Sequence, residues 1–207
     1  MQFRDYFSDH ANDYATYRPE YPASLFSYLA ELAPGHELAW DCATGNGQAA
    51  FALADYFSRV IATDASEQQI KLAKPHANIS YRVWPAEKTD FADHSISLIT
   101  IASALHWFNF DKCYPEVNRV LKSKGIIAAW SYSMHYVDAA VDAVTTELIQ
   151  YVDAGAKQDE RIKLFTGGYK TIPFPFQKIV VPDFQIEKQC DLKQLIGYLS
   201  TWSRVNN

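Results

Sequence analysis

The ten residues from Ala39 to Gln48, AWDCATGNGQ, constrain the fold of this chain more than any other segment. An apolar run reaches the acid Asp41, passes Gly45 and Gly47, and enters an alanine-rich stretch with helical character. Glycine lets the backbone pass close to a ligand without a side chain in the way, and a helix start offers free N–H groups. This order of residues predicts a nucleotide site at the end of the first strand of a parallel sheet.

The chain around this segment alternates between strand-like and helix-like patterns. Apolar runs predict five strands, at Leu38–Ala43, Arg59–Asp64, Ile79–Trp84, Ile96–Ala104 and Ile126–Tyr132. Helical spacing predicts helices at Leu25–Leu32, at Gln48–Phe57, after the cap Ser66, and at Asp111–Lys122. Such alternation is typical of α/β proteins. We therefore expect a doubly wound, mostly parallel, Rossmann-like sheet with helices on both faces.

The alternation stops after Ser133. Patterns there predict a helix at Asp138–Val152, an aromatic and proline-rich stretch at Tyr169–Phe176, a strand at Phe184–Cys190 and a last helix at Leu192–Trp202. We interpret residues 1–133 as a core with an N-terminal lid segment. Residues 134–207 are interpreted as a helical and aromatic substrate-side lid and an incomplete C-terminal part of the same domain.

Composition argues against several classes of protein. The 207 residues are 48% hydrophobic, and their formal net charge of −5 comes without a dense Lys/Arg run, so we expect no nucleic-acid partner. Cys42, Cys113 and Cys190 have neither disulfide nor metal-site spacing, and we expect no metal. The apolar run Ile96–Phe108 is too short to span a bilayer and no secretory segment is seen, which predicts a cytoplasmic protein without a membrane partner.

Acidic residues follow three predicted strands in succession, at Asp41, Asp64 and Glu87. A carboxylate at the end of the second strand can accept hydrogen bonds from both hydroxyls of a ribose, which suits NAD as well as S-adenosylmethionine. The pyrophosphate of NAD prefers G-x-G-x-x-G without a nearby acid. Here Asp41 precedes Gly45 and Gly47, and no third glycine follows at that spacing. The first loop therefore favours a cofactor with an ammonium and a sulfonium group.

Several segments together resemble one family. Asp41–Gln48, Ile61–Ser66, Trp84–Glu87, Ser95–Phe108 and Tyr114–Trp130 are similar to the motifs of class I S-adenosylmethionine-dependent methyltransferases with a type 11 domain. The pattern from Tyr14 to Pro22 resembles the subgroup of trans-aconitate methyltransferase-like proteins. The resemblance spans residues 3 to 133, with an echo at Tyr198–Ser203. It implies a methyltransferase sheet, S-adenosyl-L-methionine as cofactor and S-adenosyl-L-homocysteine as product.

The resemblance also implies roles for individual residues. Cofactor contacts would come from the strand ends: Asp41, Ala43, Gly45, Gly47, Asp64, Ala65, Gln69, Ala86, Glu87, Ser103 and Ala104. Substrate contacts would come from Tyr14, Arg18, His106 and Trp107. His106 is the candidate catalytic base, because the pKa of histidine is naturally near neutrality.

Several of these residues also have a purely structural interpretation. Tyr14 and Trp107 can pack the core, and Arg18 can form a surface ion pair of little energetic value. His106 can be a hydrogen-bonded structural histidine, and Glu87 can cap a helix turn.

Two departures from the family pattern carry expectations of their own. Ala43 stands where relatives often have a glycine, and alanine disfavours positive φ, so we expect the loop to differ there. Relatives usually continue beyond the Trp202 segment with a helix and two strands. The sequence stops at Asn207, so we expect the C-terminal strands to be missing from the sheet.

The expected activity is methyl transfer to a small-molecule acceptor, with a carboxylate held by Arg18 as the leading candidate. A carboxylate needs no base, whereas a phenol or an amine would use His106. Two alternatives stay open at this point: a non-catalytic S-adenosylmethionine-binding or partner-binding module, and an NAD-dependent oxidoreductase, against which the first loop argues. The expected assembly is a monomer or a homodimer.

Overall fold

A computed structural model describes residues 16–132, 135–155 and 160–202. Within these ranges one sheet contains five strands: β1 Ala39–Cys42, β2 Val60–Asp64, β3 Ile79–Val83, β4 Ile96–Ala102 and β5 Leu121–Trp130. The strand order is β3-β2-β1-β4-β5, and every neighbouring pair is parallel. β2 and β3 lie on one side of β1, and β4 and β5 lie on the other side. A crevice therefore opens between β1 and β4, where ligands of such sheets bind.

Helices connect the strands and cover the sheet. They are α1 Ala23–Leu32, α2 Gln48–Leu53, α3 Glu67–Leu72, α4 Phe110–Val120, α5 Ala139–Gly155, α6 Glu160–Thr166 and α7 Leu192–Ser200, with a short 3-10 helix at Leu105–Trp107. None of the helices in the described ranges is long and apolar enough to cross a membrane.

The two faces of the sheet bury separate apolar clusters, because side chains alternate along each strand. On one face Trp40 of β1 and Ile99 of β4 pack in the same cluster as Val117 of α4. On the other face Ala39 and Leu98, their neighbours in sequence, pack in a cluster with helices α1 and α2. A parallel sheet covered on both faces confirms the predicted doubly wound architecture.

The junction between α4 and β5 differs from the prediction. The helix ends at Val120 and the strand begins at Leu121, whereas the pattern placed a helix end near Lys122 and a strand start at Ile126. Lys124 has a φ of +61°, and the pairing register with β4 shifts between Ile96 and Leu98. The Lys-Gly pair therefore forms an irregularity inside the strand rather than a stop after the helix.

The strand predicted at Phe184–Cys190 is wrong. No strand follows Trp130 in the described residues, and Phe184–Cys190 has no regular secondary structure. Alternating apolar residues need a partner strand as well as a pattern. Here the ring of Phe184 packs on Tyr28 of α1 at 5.6 Å between centroids. This aromatic contact and a hydrogen bond from Lys188 Nζ to the carbonyl of Tyr17, at 3.2 Å, hold a segment that has no ladder partner.

Candidate functional site

A cavity of about 640 Å³ opens beyond the carboxyl ends of β1, β2 and β4. This volume lies in the usual range for small-molecule sites. Many residues predicted from the sequence lie in its wall: Ala43, Gly45, Asp64, Ala65, Gln69, Ala86, Glu87, Ser103, Ala104 and Trp107. Four others, Asp41, Gly47, Arg18 and His106, are not lining residues, and Tyr14 lies outside the described residues.

Asp41 lies beneath the first loop, with only 1% of its surface exposed. Its Oδ2 accepts the hydroxyl proton of Thr44 at 2.5 Å, and its Oδ1 accepts that of Thr100 at 2.7 Å. Burial raises the pKa of this carboxyl to about 6, although both hydrogen bonds favour the charged form. The contacts of Asp41 hold the loop, and a direct contact with a cofactor amine stays a prediction.

The first loop turns through three residues with positive φ: Ala43 at +55°, Gly45 at +57° and Gly47 at +88°. Ala43 thus adopts the backbone conformation that glycine favours, contrary to the expectation that alanine would avoid it. A side chain at Gly47 would place its Cβ 2.6 Å from the hydroxyl of Tyr81. Gly47 is therefore required by its own φ and by packing against β3.

Asp64 ends β2 and faces the cavity from between two loops. Its Oδ2 accepts the N–H of Gly45 at 2.9 Å, and its Oδ1 accepts the N–H of Ser66 at 2.8 Å. A carboxylate has about four acceptor sites, so these two hydrogen bonds orient the group and leave acceptor sites for a ligand. Ser66 in turn caps α3 by accepting the N–H of Gln69, which confirms the predicted cap. The strand end thus presents an oriented carboxylate to a ligand.

The opposite wall is formed by the loop after β3 and the end of β4. Glu87 lines the cavity, and its Oε1 also accepts the N–H of Asn109, the residue just before α4, at 3.1 Å. Ser103 has a φ of +54° and donates its N–H to the carbonyl of Trp130 at 2.8 Å. Ser103 lies within reach of the hydroxyl of Tyr21, with 3.4 Å between the two oxygens. The end of β4 is therefore tied both to β5 and to the N-terminal segment.

His106 is buried against the segment that follows α6. Its Nδ1 lies 3.0 Å from the hydroxyl of Tyr169, and its ring packs on Trp107, Phe165 and Tyr169. These contacts match the structural interpretation of this histidine. Trp107, in contrast, lies in the cavity wall with the guanidinium of Arg161 5.3 Å from its ring centre. A role for His106 as a base stays a prediction.

Arg18 connects distant parts of the chain. Its Nη1 donates to the hydroxyl of Tyr132 at 2.6 Å, and its Nη2 donates to the carbonyl of Thr201 at 3.0 Å. Its guanidinium also lies over the ring of Tyr198 at 5.5 Å. Two of its five N–H donors are thus engaged by the protein, and a contact with an acceptor stays a prediction.

Sequence reasoning missed several lining residues. They are Tyr21, Thr44, Asn46, Gln48, Ala49, Ser66, Trp84, Pro85, Ala102, Phe108, Asn109, Lys112 and Arg161. Most are immediate neighbours of predicted residues on the same loops, so a wider window around each strand end would have found them. Lys112 and Arg161 had no such signal, because α4 and α6 reach the cavity only through tertiary packing.

Comparisons with known proteins agree with this geometry. Residues 40–129 match the family model described as a methyltransferase domain. A Dictyostelium discoideum protein with a provisional methyltransferase name is 33% identical over 206 residues, covering 98% of this chain and 78% of that protein. An Anaeromyxobacter dehalogenans structure, provisionally named a type II methyltransferase, is 40% identical with a TM-score of 0.84, covering 91% of this chain and 80% of that chain.

A third relative, from Saccharomyces cerevisiae, is named a probable S-adenosylmethionine-dependent methyltransferase. It is 29% identical over 128 residues, which cover 58% of this chain and 44% of the yeast protein. This chain therefore spans less than half the length of that relative.

The fold and the cavity define an α/β protein with a cavity of small-molecule size at the carboxyl edge of its parallel sheet. The chain belongs to the methyltransferase family. S-adenosylmethionine is its methyl donor. Similarity to the trans-aconitate methyltransferase-like subgroup stays a prediction.

The described residues fit this cofactor. Asp64 offers an oriented carboxylate for a pair of ribose hydroxyls, and Ala65 and Ala86 leave an apolar, uncrowded space for a purine. No group of three or more histidine, cysteine or acidic side chains in the described ranges is arranged to hold a metal ion. The wall thus has the groups that an adenosyl ligand requires.

Proposed function

We propose that this chain transfers a methyl group from S-adenosylmethionine to a small-molecule acceptor that carries a carboxylate. The observation that carries the proposal is the cavity, which is lined by two acids, Asp64 and Glu87, and by two cations, Lys112 and Arg161. Asp64 and Glu87 suit a cationic cofactor. Lys112 and Arg161 suit an anionic acceptor. We also propose that residues 134–207 serve as the substrate-side lid.

The residues of the chain would bind and orient the reactants. When bound, S-adenosylmethionine supplies a methyl group on a sulfonium, which is already activated for transfer. Asp64 would hold the ribose, while Ala65 and Ala86 border the adenine. Ser103 and Ala104 would border the reacting end. Positioning of this kind can contribute roughly 7–11 kcal/mol to lowering a barrier.

A carboxylate acceptor is itself a competent nucleophile, so no residue has to remove a proton. His106 is then a candidate base only for a phenol or an amine acceptor. Its hydrogen bond to Tyr169 supports a different contribution, which is to hold the segment after α6 against the 3-10 helix whose Trp107 lines the cavity. A lid in this part of the chain would exclude water from the acceptor.

The cofactor part of the proposal is tested by calorimetry on purified protein with S-adenosylhomocysteine and with NAD. We expect binding of S-adenosylhomocysteine and none of NAD. Asp64→Asn should weaken that binding by about 10-fold or more, because it removes a charge from hydrogen bonds to two hydroxyls. Asp55→Asn changes an exposed aspartate and serves as the matched control.

The acceptor part is tested by methyl transfer to matched panels of carboxylic acids, phenols and amines. Formation of methyl esters only with the acids would support the proposal. Transfer to phenols or amines alone would contradict the carboxylate. Binding of S-adenosylhomocysteine without transfer to any class would favour the alternative of a non-catalytic cofactor-binding module.

A further inference from the structure

Arg161 of helix α6 brings a positive charge to the cavity beside Trp107. Both residues line the cavity, and the guanidinium carbon of Arg161 lies 5.3 Å from the centre of the Trp107 ring. Attraction between a guanidinium and the face of an indole favours this placement of the cation. Since Arg161 lines the cavity and is only partly buried, a ligand in the cavity can reach this side chain.

Trp107 connects this cation to the end of β4. The N–H of Trp107 donates to the carbonyl of Ala104 at 2.9 Å, across the single turn of the 3-10 helix. Ala104 and Ser103 also line the cavity, and the family resemblance places both near the sulfonium. The wall that runs from Ser103 through Trp107 to Arg161 therefore joins the methyl-donor end of the cavity to a positive charge.

Lys112, the other cation of the wall, lies on a different element. It belongs to the first turn of α4, three residues after Asn109, whose N–H donates to Oε1 of Glu87 at 3.1 Å. The resemblance places Glu87 beside the adenine. The start of α4 thus presents both signs of charge on the adenine side of the cavity, which leaves Arg161 as the cation at the methyl-donor end.

Contacts with His106 hold α6, and with it Arg161, against the 3-10 helix. Phe165 packs on the His106 ring with 5.1 Å between ring centres, and the hydroxyl of Tyr169 lies 3.0 Å from His106 Nδ1. Phe165 and Arg161 are four residues apart, so they lie on the same face of α6. Because His106 precedes Trp107 in the chain, one short helix contacts α6 at both of these positions.

The chemistry of a guanidinium indicates what this part of the wall recognises. Arginine is always charged, and its N–H donors form a planar fork that matches the two oxygens of a carboxylate. A carboxylate has about four acceptor sites, so an acceptor bound in this way keeps lone pairs that can attack a methyl group. The corresponding amide has the same shape but no charge. Arg161 therefore favours a carboxylate over its amide.

We propose that Arg161 is the specificity-determining residue that binds the carboxylate of the methyl acceptor, and that His106 and Tyr169 position it through helix α6. This inference rests on the proposed function and names the residue that recognises the acceptor. It also gives His106 a positioning role rather than that of a base.

The test follows indole N–H signals of ¹⁵N-labelled protein saturated with S-adenosylhomocysteine. The protein is titrated with benzoate, phenylacetate, octanoate and propane-1,2,3-tricarboxylate, and with the amide of each acid. Trp107→Phe assigns the signal of Trp107, which reports on the neighbourhood of Arg161. The signal of Trp40 is an internal control, because its Nε1 donates to Thr63 inside the core at 2.9 Å.

We expect at least one carboxylate, but not its amide, to shift the Trp107 signal and to leave the Trp40 signal unchanged. Arg161→Gln should weaken binding of that carboxylate by about 10-fold or more, as expected for hydrogen bonds to a charged group. Arg161→Lys should weaken it less, because lysine keeps the charge and lacks the fork. Calorimetry should show that Arg161→Gln changes the affinity for S-adenosylhomocysteine by less than about 3-fold, a loss smaller than for the carboxylate.

Lys163→Gln is the matched control for Arg161→Gln. It removes an exposed cation from the same helix, and Lys163 is not a lining residue of the cavity. We expect the carboxylate affinity of this variant to stay within about 2-fold of the wild type.

The positioning role is tested with Tyr169→Phe, which keeps the ring and removes the hydroxyl beside His106. We expect this change to weaken carboxylate binding several-fold in the wild type and to have no further effect in the Arg161→Gln background. Such coupling arises only if the hydroxyl acts through the cation. A general loss of structure would weaken binding equally in both backgrounds, and that result would overturn the positioning role.

Other outcomes overturn the assignment of Arg161. Wild-type affinity for the carboxylate in Arg161→Gln would show that this residue does not bind the acceptor. If S-adenosylhomocysteine binds but no carboxylate in the panel shifts the Trp107 signal, the carboxylate specificity fails and the cofactor site stands. If the wild type does not bind S-adenosylhomocysteine, the proposed function fails and this inference fails with it.

Discussion

Asp41 sits at the end of β1, where the sequence pattern predicted an acid in contact with the cofactor. The structure surrounds its carboxylate with Thr44, Thr100 and the first loop, and a direct contact with the cofactor stays a prediction. The sequence pattern of a strand end followed by a loop is the same whether the acid faces inward or toward a cavity. The direction of the Asp41 side chain is set by the pleat of β1 and by the threonine hydroxyls that it meets on neighbouring segments. The same surroundings determine the pKa of its carboxyl.

The stability of the protein should therefore depend on the ionisation of Asp41. Burial raises its pKa from 3.8 to about 6. A carboxyl with a raised native pKa favours folding most when protonated, so this contribution is fully present below pH 3.8 and is lost as the pH rises through about 6. Relative to Asp41→Asn, we expect the free energy of unfolding to fall by up to roughly 3 kcal/mol between about pH 4 and pH 7.

Urea denaturation of both proteins across this pH range measures the effect. The asparagine variant is the reference, because the remaining titratable groups are common to both proteins. A difference between wild type and variant that stays constant with pH would contradict the raised pKa of Asp41.

Ala43 holds a positive φ that glycine tolerates better. An L-residue in the left-handed region costs roughly 1–2 kcal/mol, while glycine adds entropy to the unfolded chain. We expect Ala43→Gly to raise the free energy of unfolding by about 1 kcal/mol, measured by chemical denaturation. Ala92→Gly is the control, because Ala92 is exposed and is not among the residues with positive φ. A loss of stability in Ala43→Gly would argue against strain at this position.

At the scale of secondary-structure elements, helix α4 holds the loop between β3 and β4 in place. Oε1 of Glu116 accepts both the N–H and the hydroxyl proton of Thr89, at 2.7 and 2.6 Å. Arg119 binds Glu116 and donates to the carbonyl of Phe91 at 2.7 Å. The same loop carries Ala86 and Glu87 to the cavity wall. One ion pair on α4 therefore positions a wall of the site.

Removal of this anchor should affect both stability and binding. We expect Glu116→Ala to lower the free energy of unfolding by about 1–3 kcal/mol, because buried donors of Thr89 lose their acceptor. Binding of S-adenosylhomocysteine should weaken several-fold, as calorimetry would show.

Glu67→Ala is the comparison for Glu116→Ala. It removes an exposed helical pair with Lys71 and should change stability by no more than about 0.5 kcal/mol. Equal effects of the two substitutions would show that the α4 anchor contributes no more than a surface pair.

Helix α6 shows why some elements escape prediction. It has seven residues at Glu160–Thr166, too few for a clear apolar period. Its position depends on contacts with the 3-10 helix, where Phe165 meets His106 and Arg161 meets Trp107. Those partners are more than 50 residues away in sequence, so no local pattern could place the Arg161 cation at the cavity.

At the scale of the whole molecule, the sheet and both helical layers converge on one cavity. A ligand that binds only the folded state stabilises it by about 2.7 kcal/mol at 100 times its Kd. For a chain of this size, each kcal/mol added to the free energy of unfolding raises Tm by about 2–4 °C. We therefore expect S-adenosylhomocysteine at that concentration to raise Tm by about 5–10 °C in a thermal melt, and NAD to leave it unchanged. An equal shift with NAD would contradict the specificity of the cavity.

The sequence by itself determined the strand–helix alternation, the parallel sheet and the loop that follows β1, because these depend on local apolar periods and on glycine and acid positions. It also identified residues of the cavity wall at the strand ends, because strand ends of a parallel sheet meet at one edge. Only the tertiary structure decided that Asp41 is buried beneath the first loop and that the His106 ring lies within hydrogen-bond distance of the Tyr169 hydroxyl. The direction and partners of a side chain depend on segments distant in sequence, and these come together only when the chain folds.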